Sequence, residues 1–146
     1  MGVDIGGTGI KAGLVDINKG VVTGETVYEP TPQPAHPDDT VAAVARVVEQ
    51  FGWRGRIGIG YPGVVKQGVA LSAANLTDNW LEQNLQELFG VVTNDEVVVL
   101  NDADAAGLAE MQFGAGKDHF NPNGGLVFMC TFGTGIGSAL FYHGIL

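Results

Sequence analysis

The sequence predicts an α/β fold: an antiparallel meander of three strands, then alternating strands and helices, then a new β-hairpin. Three observations carry the prediction. Short apolar runs separated by turn residues fill the first 28 positions. Apolar residues at helical spacing then alternate with short strand-like runs. Two glycine-rich turns, one near each end, are flanked by strand-like segments.

Taken in order, Met1–Ile5 reads as a short buried strand, and Gly6, Gly7 and Gly9 mark a tight turn. Ile10–Asp16 and Val21–Tyr28 read as the next strands, with Asn18–Gly20 turning between them. Pro30, Pro32, Pro34 and Pro37 define an extended loop. The spacing of Val41, Val44, Ala45, Val48 and Phe51 predicts a helix over Asp38–Phe51. Arg56–Tyr61 is a strand broken by Pro62-Gly63. Asn79 and Glu82 have capping-box spacing and predict a helix carrying Leu81, Leu85 and Leu88 that ends at Gly90. Four apolar residues, Val97–Leu100, predict a strand buried on both sides. Asp102–Phe113, rich in Ala, Leu, Glu and Met, predicts a helix. The polar, glycine-containing loop Gly114–Gly124 is the expected boundary between a lobe of residues 1–115 and the opening hairpin of a second, 116–146. That hairpin consists of Leu126–Phe132 and Ser138–Tyr142.

Composition excludes several classes. Apolar residues are 45% of the 146 and charged residues 16%, a globular balance and not a disordered one. Seven Lys and Arg against 16 Asp and Glu give a net charge of −9, without the basic cluster that phosphate-backbone binding to nucleic acid requires. No apolar run is long enough to span a membrane and no signal-type leader is seen, so no membrane partner and a cytoplasmic location are expected. A single cysteine, Cys130, allows no internal disulfide.

The chemistry is concentrated in four places. In Asp4-Ile5-Gly6-Gly7-Thr8 the backbone N–H groups of a glycine turn can form an anion-binding concavity. Absence of Cβ at Gly6 and Gly7 lets phosphate oxygens come close, Thr8 adds a donor, and Lys11 adds positive charge from the next strand. Asp4 would repel phosphate unless Mg²⁺ or its water shell lay between. An ordinary hairpin turn with an exposed aspartate reads the same residues. The second turn, Gly133-Thr134-Gly135-Ile136-Gly137, fits neither the dinucleotide fingerprint nor the P-loop pattern. It is either a second phosphate clamp or a tight structural hairpin. Asn101-Asp102 stands where a strand ends and a helix begins, the edge at which α/β sheets gather ligands. Asp102 is either a helix cap or a carboxylate that takes a hydroxyl proton, with Asn101 orienting the substrate. Asn75, in a polar loop, suits hydroxyl recognition, and Trp80 is expected in the core. His36, His119 and His143 show no metal or triad spacing.

The order of DIGGTGIK (Asp4–Lys11), GYPGVV (Gly60–Val65), AANL (Ala73–Leu76), LNDADAAGLAEM (Leu100–Met111) and TFGTGIGSALF (Thr131–Phe141) resembles the ROK family of sugar kinases and repressors, the polyphosphate glucokinases in particular. The resemblance implies an actin-like ATPase (ribonuclease H-like) fold of two lobes with the active site in their cleft. It implies that Gly6, Gly7, Thr8, Lys11, Gly133, Thr134 and Gly135 hold the phosphoryl donor, polyphosphate or ATP, with Mg²⁺ at Asp4. Asp102 would be the base for the 6-hydroxyl of glucose, and Asn75, Asn101 and Asp102 would contact the sugar. A homo-oligomer is expected. The family's glutamate and histidine sugar ligands, and its frequent Cys-rich zinc motif, correspond to positions beyond Leu146, so this stretch alone is expected to be inactive. A non-catalytic sugar-binding module and a sugar-responsive regulator are the alternatives. The family's repressors carry a DNA-binding domain ahead of the first strand, and with the strand-like segment starting at Met1 and an acidic net charge the regulator is the less expected alternative.

Overall fold

The structure, a computed structural model, describes residues 1–133 and 135–146. In chain order its strands are β1 (Gly2–Ile5), β2 (Gly9–Asp16), β3 (Val21–Pro30), β4 (Ile57–Tyr61), β5 (Val65–Lys66), β6 (Val69–Ala70), β7 (Val97–Asn101), β8 (Leu126–Phe132) and β9 (Ile136–Tyr142). The helices are α1 (Pro37–Gln50), α2 (Leu85–Thr93) and α3 (Asp102–Phe113), with short 3₁₀ turns at Asp78–Trp80 and Lys117–His119. Packing divides the chain into two compact units, Met1–Val15 with Val22–Asn101, and Asp16–Val21 with Asp102–Leu146. This packing division is a different quantity from the lobe boundary expected at 115/116.

In the first unit, alternation sets the strands. Val3 and Ile5 are buried with exposed Asp4 between them, and Ile10 and Ala12 are buried with exposed Lys11 between them. The mixed sheet runs β3-β2-β1-β4-β7. β1 pairs antiparallel with β2, and β4 pairs in parallel with both β1 and β7. α1 buries Val41, Val44, Val47 and Val48, a broader stripe than the spacing predicted because Ala43 and Val47 are buried too. The core closes on Trp80, which is fully buried and donates its indole N–H to Ala35 O at 2.9 Å. Its ring lies 5.5 Å from that of Tyr61 and 6.1 Å from that of Phe89. Burial pushes the Tyr61 phenol well above its ordinary value.

Three expectations are corrected. The capping box at Asn79 and Glu82 does not form: Glu82 has φ +66°, incompatible with a helix, and Trp80 is held by Ala35. α2 starts later, at the cap Asn84, whose Oδ1 accepts from Glu87 N, and runs through Gly90 to Asn94 in the left-handed region. β7 is not buried on both sides, since Val97 and Val99 are buried while Val98 is exposed. Between β4 and α2 the sequence reading missed the hairpin β5–β6, which turns on Gln67 and Gly68, both at positive φ.

In the second unit, α3 lies on the antiparallel pair β8–β9, with Met111, Ala139 and Phe141 as its buried centre. Small residues allow that approach. A Cβ on Gly107 would stand 2.7 Å from Ala139 Cβ, and one on Gly137 would stand 2.7 Å from Ala103 Cβ. The loop Asp16–Val21 belongs to this unit: the Phe113 ring lies over Gly20, and Asp16 Oδ1 accepts from Asn18 N and Lys19 N.

Candidate active site

The first unit carries the Asp4–Thr8 turn. Gly6 N donates to Gly9 O at 2.9 Å and closes it. Register puts Lys11 directly opposite Asp4 on the exposed face of β1 and β2, a pairing that holds Cβ atoms about 4.5–5.5 Å apart. The carbonyls of Gly6, Gly7 and Thr8 are each engaged by residues just past β3 and at its end. Thr31 Oγ1 donates to Gly6 O at 2.6 Å, Gln33 Nε2 to Gly7 O at 2.9 Å, and both Tyr28 Oη and Thr31 N to Thr8 O at 3.2 Å. The Tyr28 ring also covers Gly9, where a Cβ would lie 2.2 Å from it. Sequence reasoning saw only an extended loop here. The available signal was a hydroxyl and an amide, Thr31 and Gln33, interleaved with prolines.

Asn75 is exposed, in the left-handed region at φ +62°, and its Cβ is 2.8 Å from where a Cβ of residue 7 would be. The Asp4–Thr8 turn and the Asn75 loop therefore touch. Asn101, at the end of β7, donates Nδ2 to Gly63 O at 3.1 Å, so its amide orientation is fixed by the Pro62-Gly63 turn. Gly63 is sterically obligatory: a Cβ there would sit 2.3 Å from Ser72 O.

The second unit carries Asp102, the first residue of α3. Its Oδ1 accepts from Ala103 N at 2.8 Å. Asp104 sits in the same first turn, and burial, then the Asp102 charge, push its carboxyl above the ordinary value. Gly133 N donates to Gly135 O at 2.9 Å, and a Cβ on either glycine would meet open space. Thr134, expected between them as a phosphate ligand, lies outside the described residues.

Among the described residues, no three His, Cys, Asp or Glu side chains gather into a ready-made metal cage. Asp4 is one exposed carboxylate beside the turn. That donor set suits Mg²⁺, which is commonly bound by one or two carboxylates with waters and substrate phosphates. No helix among the described residues is long and apolar enough to cross a membrane.

The pattern of the ROK family matches residues 1–146. The chain is 49% identical over 146 residues to a polyphosphate glucokinase of Mycobacterium tuberculosis, covering 99% of this chain and 54% of that protein. The solved inorganic polyphosphate/ATP-glucomannokinase from Arthrobacter sp. strain KM superposes with a TM-score of 0.90 at 44% identity, over 99% of this chain and 58% of that one. A ROK family glucokinase from Streptomyces griseus, solved with glucose and AMPPNP, gives 0.83 at 34% identity, over 98% and 44%. The chain thus spans about half the length of the relatives it matches, and it shares their mixed α/β, actin-like ATPase fold.

Proposed function

The chain belongs to the ROK family, and we propose that the protein carrying it transfers a phosphoryl group from polyphosphate or ATP to the 6-hydroxyl of glucose. The observation that carries this reading is the 49% identity to a polyphosphate glucokinase across nearly the whole chain. The geometry of the two turns and of the β7–α3 junction supports it. Residues 1–115 are read as the N-terminal lobe and 116–146 as the opening hairpin of the next.

In this reading Asp102 accepts the proton of the 6-hydroxyl as its oxygen attacks the terminal phosphorus. The bond from that phosphorus to the bridging oxygen breaks, and the shortened polyphosphate or ADP leaves. Asn75 and Asn101 hold sugar hydroxyls, and the Gly63 carbonyl fixes which end of the Asn101 amide is presented. Backbone N–H groups of the Gly6-Gly7-Thr8 turn, with the Thr8 hydroxyl and Lys11, bind donor phosphates, and Gly133, Thr134 and Gly135 bind them from the second turn. Asp4 would hold Mg²⁺ through its water shell. The ion would neutralise charge on the phosphate chain. A cytoplasmic, homo-oligomeric enzyme without nucleic-acid or membrane partners completes the proposal.

A coupled assay for glucose 6-phosphate tests it. Glucose-dependent turnover with polyphosphate, ATP or both is expected from the protein carrying this chain in the presence of Mg²⁺. No turnover with either donor overturns the reading.

A further inference from the structure

The segment running from the end of β3 into the proline loop makes four hydrogen bonds to three consecutive carbonyls of the glycine turn. Gly6 O receives Thr31 Oγ1, Gly7 O receives Gln33 Nε2, and Thr8 O receives Tyr28 Oη and Thr31 N. In a trans peptide the C=O and the N–H of the next residue lie in one plane and point in opposite directions. Pinning the carbonyls of residues 6, 7 and 8 toward the 28–33 segment therefore turns the N–H groups of Gly7, Thr8 and Gly9 away from it. Gly7 N and Thr8 N donate to no backbone carbonyl among the described residues. Three successive N–H groups facing one way form an anion-binding concavity.

Glycines alone would not hold that arrangement. Gly6 and Gly7 have wide backbone freedom, and each peptide plane between 6 and 9 can flip to present a carbonyl, which repels phosphate. We propose that Tyr28, Thr31 and Gln33 are positioning residues for phosphoryl-donor binding: by occupying the carbonyls of Gly6, Gly7 and Thr8 they hold the N–H groups of Gly7, Thr8 and Gly9 toward the donor phosphates. The inference rests on the proposed role of the turn. The three side chains divide the work by burial. Thr31 is 4% exposed and its bond is the shortest of the four, so it anchors the turn from the core side. Gln33 is exposed, and its side-chain amide donates to Gly7 O, so it holds the turn from the solvent side. The Tyr28 ring closes over Gly9, so no side chain fits at position 9.

The test is an NMR titration of the 146-residue chain, labelled with ¹⁵N, with inorganic tripolyphosphate and Mg²⁺. In the wild type the amide signals of Gly7, Thr8 and Gly9 move most. Gln33→Ala and Thr31→Val each weaken tripolyphosphate binding about five- to tenfold, the loss expected when one orienting hydrogen bond is removed. Tyr28→Phe, which keeps the ring on Gly9, weakens it less, because Thr31 N still holds Thr8 O. Thr31→Ser restores binding, which a purely space-filling role for Thr31 does not predict. If Thr31→Val fails to fold, Gln33→Ala decides, because Gln33 is on the surface. Wild-type binding at these three amides with undiminished affinity in Gln33→Ala and Thr31→Val overturns the positioning role alone. Absence of any wild-type response at the three amides overturns the phosphate role of the turn, and this inference with it.

Discussion

Gly7 and Asn75 are in contact across two loops: a Cβ on residue 7 would lie 2.8 Å from Asn75 Cβ. The proposed donor turn and the proposed sugar loop cannot therefore be altered independently. Gly7→Ala is expected to raise KM for both the phosphoryl donor and glucose, with an overpacking cost of about 1–3 kcal/mol shared between them. Asn75→Gly removes the obstructing atom and suits the φ of +62°. The pair Gly7→Ala/Asn75→Gly should recover donor KM while glucose KM stays high. Steady-state kinetics in both substrates checks this. A rise confined to the donor would show that the contact does not transmit to sugar binding.

Asp102→Asn should lower kcat by about 10²–10⁴-fold and leave glucose binding within a few-fold of wild type. The amide keeps the size of the side chain and can still accept from Ala103 N, but it cannot take a proton. Glucose titration beside turnover separates the two effects. Retention of more than about a tenth of kcat would remove Asp102 from the role of base.

Gly63→Ala should destabilise the chain by about 2–3 kcal/mol. The added methyl would meet backbone at Ser72 O, 2.3 Å away, and Tyr61 Cε1 at 2.7 Å, and neither is the end of a flexible side chain. It would also displace the carbonyl that holds Asn101. Urea unfolding followed by tryptophan fluorescence measures it. A change below about 0.5 kcal/mol, the size usual for surface substitutions, would mean the Pro62-Gly63 turn has room to relax.

Much of this arrangement was legible in the sequence, and the reasons for the misses are local. The α3 bounds were legible from helix-forming composition and the core role of Trp80 from residue size, and tertiary packing left both undisturbed. The α2 start was misread because Asn79 and Glu82 have the right spacing, and no local pattern reveals that Glu82 takes φ +66° or that the indole of Trp80 reaches Ala35. Exposure of Val98 was hidden because a run of four apolar residues gives no alternation to read. Positions 6, 7, 75, 101 and 102 stood out through their chemistry. Tyr28, Thr31 and Gln33 did not, because bonds to carbonyls some 20 to 26 residues earlier leave no periodic trace.

Asp104→Asn should stabilise the second unit at neutral pH. Burial and the Asp102 charge raise the Asp104 carboxyl, so the folded state favours its neutral form and ionisation costs stability. The wild type therefore loses stability relative to the variant as pH rises above the ordinary value of 3.8, and the two converge below it. Denaturation curves at a series of pH values test the sign. A variant less stable than wild type at pH 7 would show that contacts of the ionised Asp104 outweigh its burial.

The outer face of the β8–β9 hairpin predicts self-association of the 146-residue chain. Register sets Leu126 opposite Tyr142, Phe128 opposite Leu140 and Phe132 opposite Ile136, and all six side chains are more than half exposed. The inner face is already used by α3. Among the described residues this sheet has two strands, so its outward edges also offer unpaired backbone groups. An exposed apolar face of this kind, broken only by the pair Cys130 and Ser138 among the described residues, with open edges favours pairing with another copy over exposure to water. Light scattering over a dilution series should show a mass that rises with concentration. The variant Phe128→Lys/Leu140→Glu places opposite charges across the same register pair, which preserves the hairpin while removing the apolar row. It should stay monomeric at concentrations where the wild type does not. A wild-type chain that remains a monodisperse monomer throughout the series would show that this face is covered by the chain's own residues in solution.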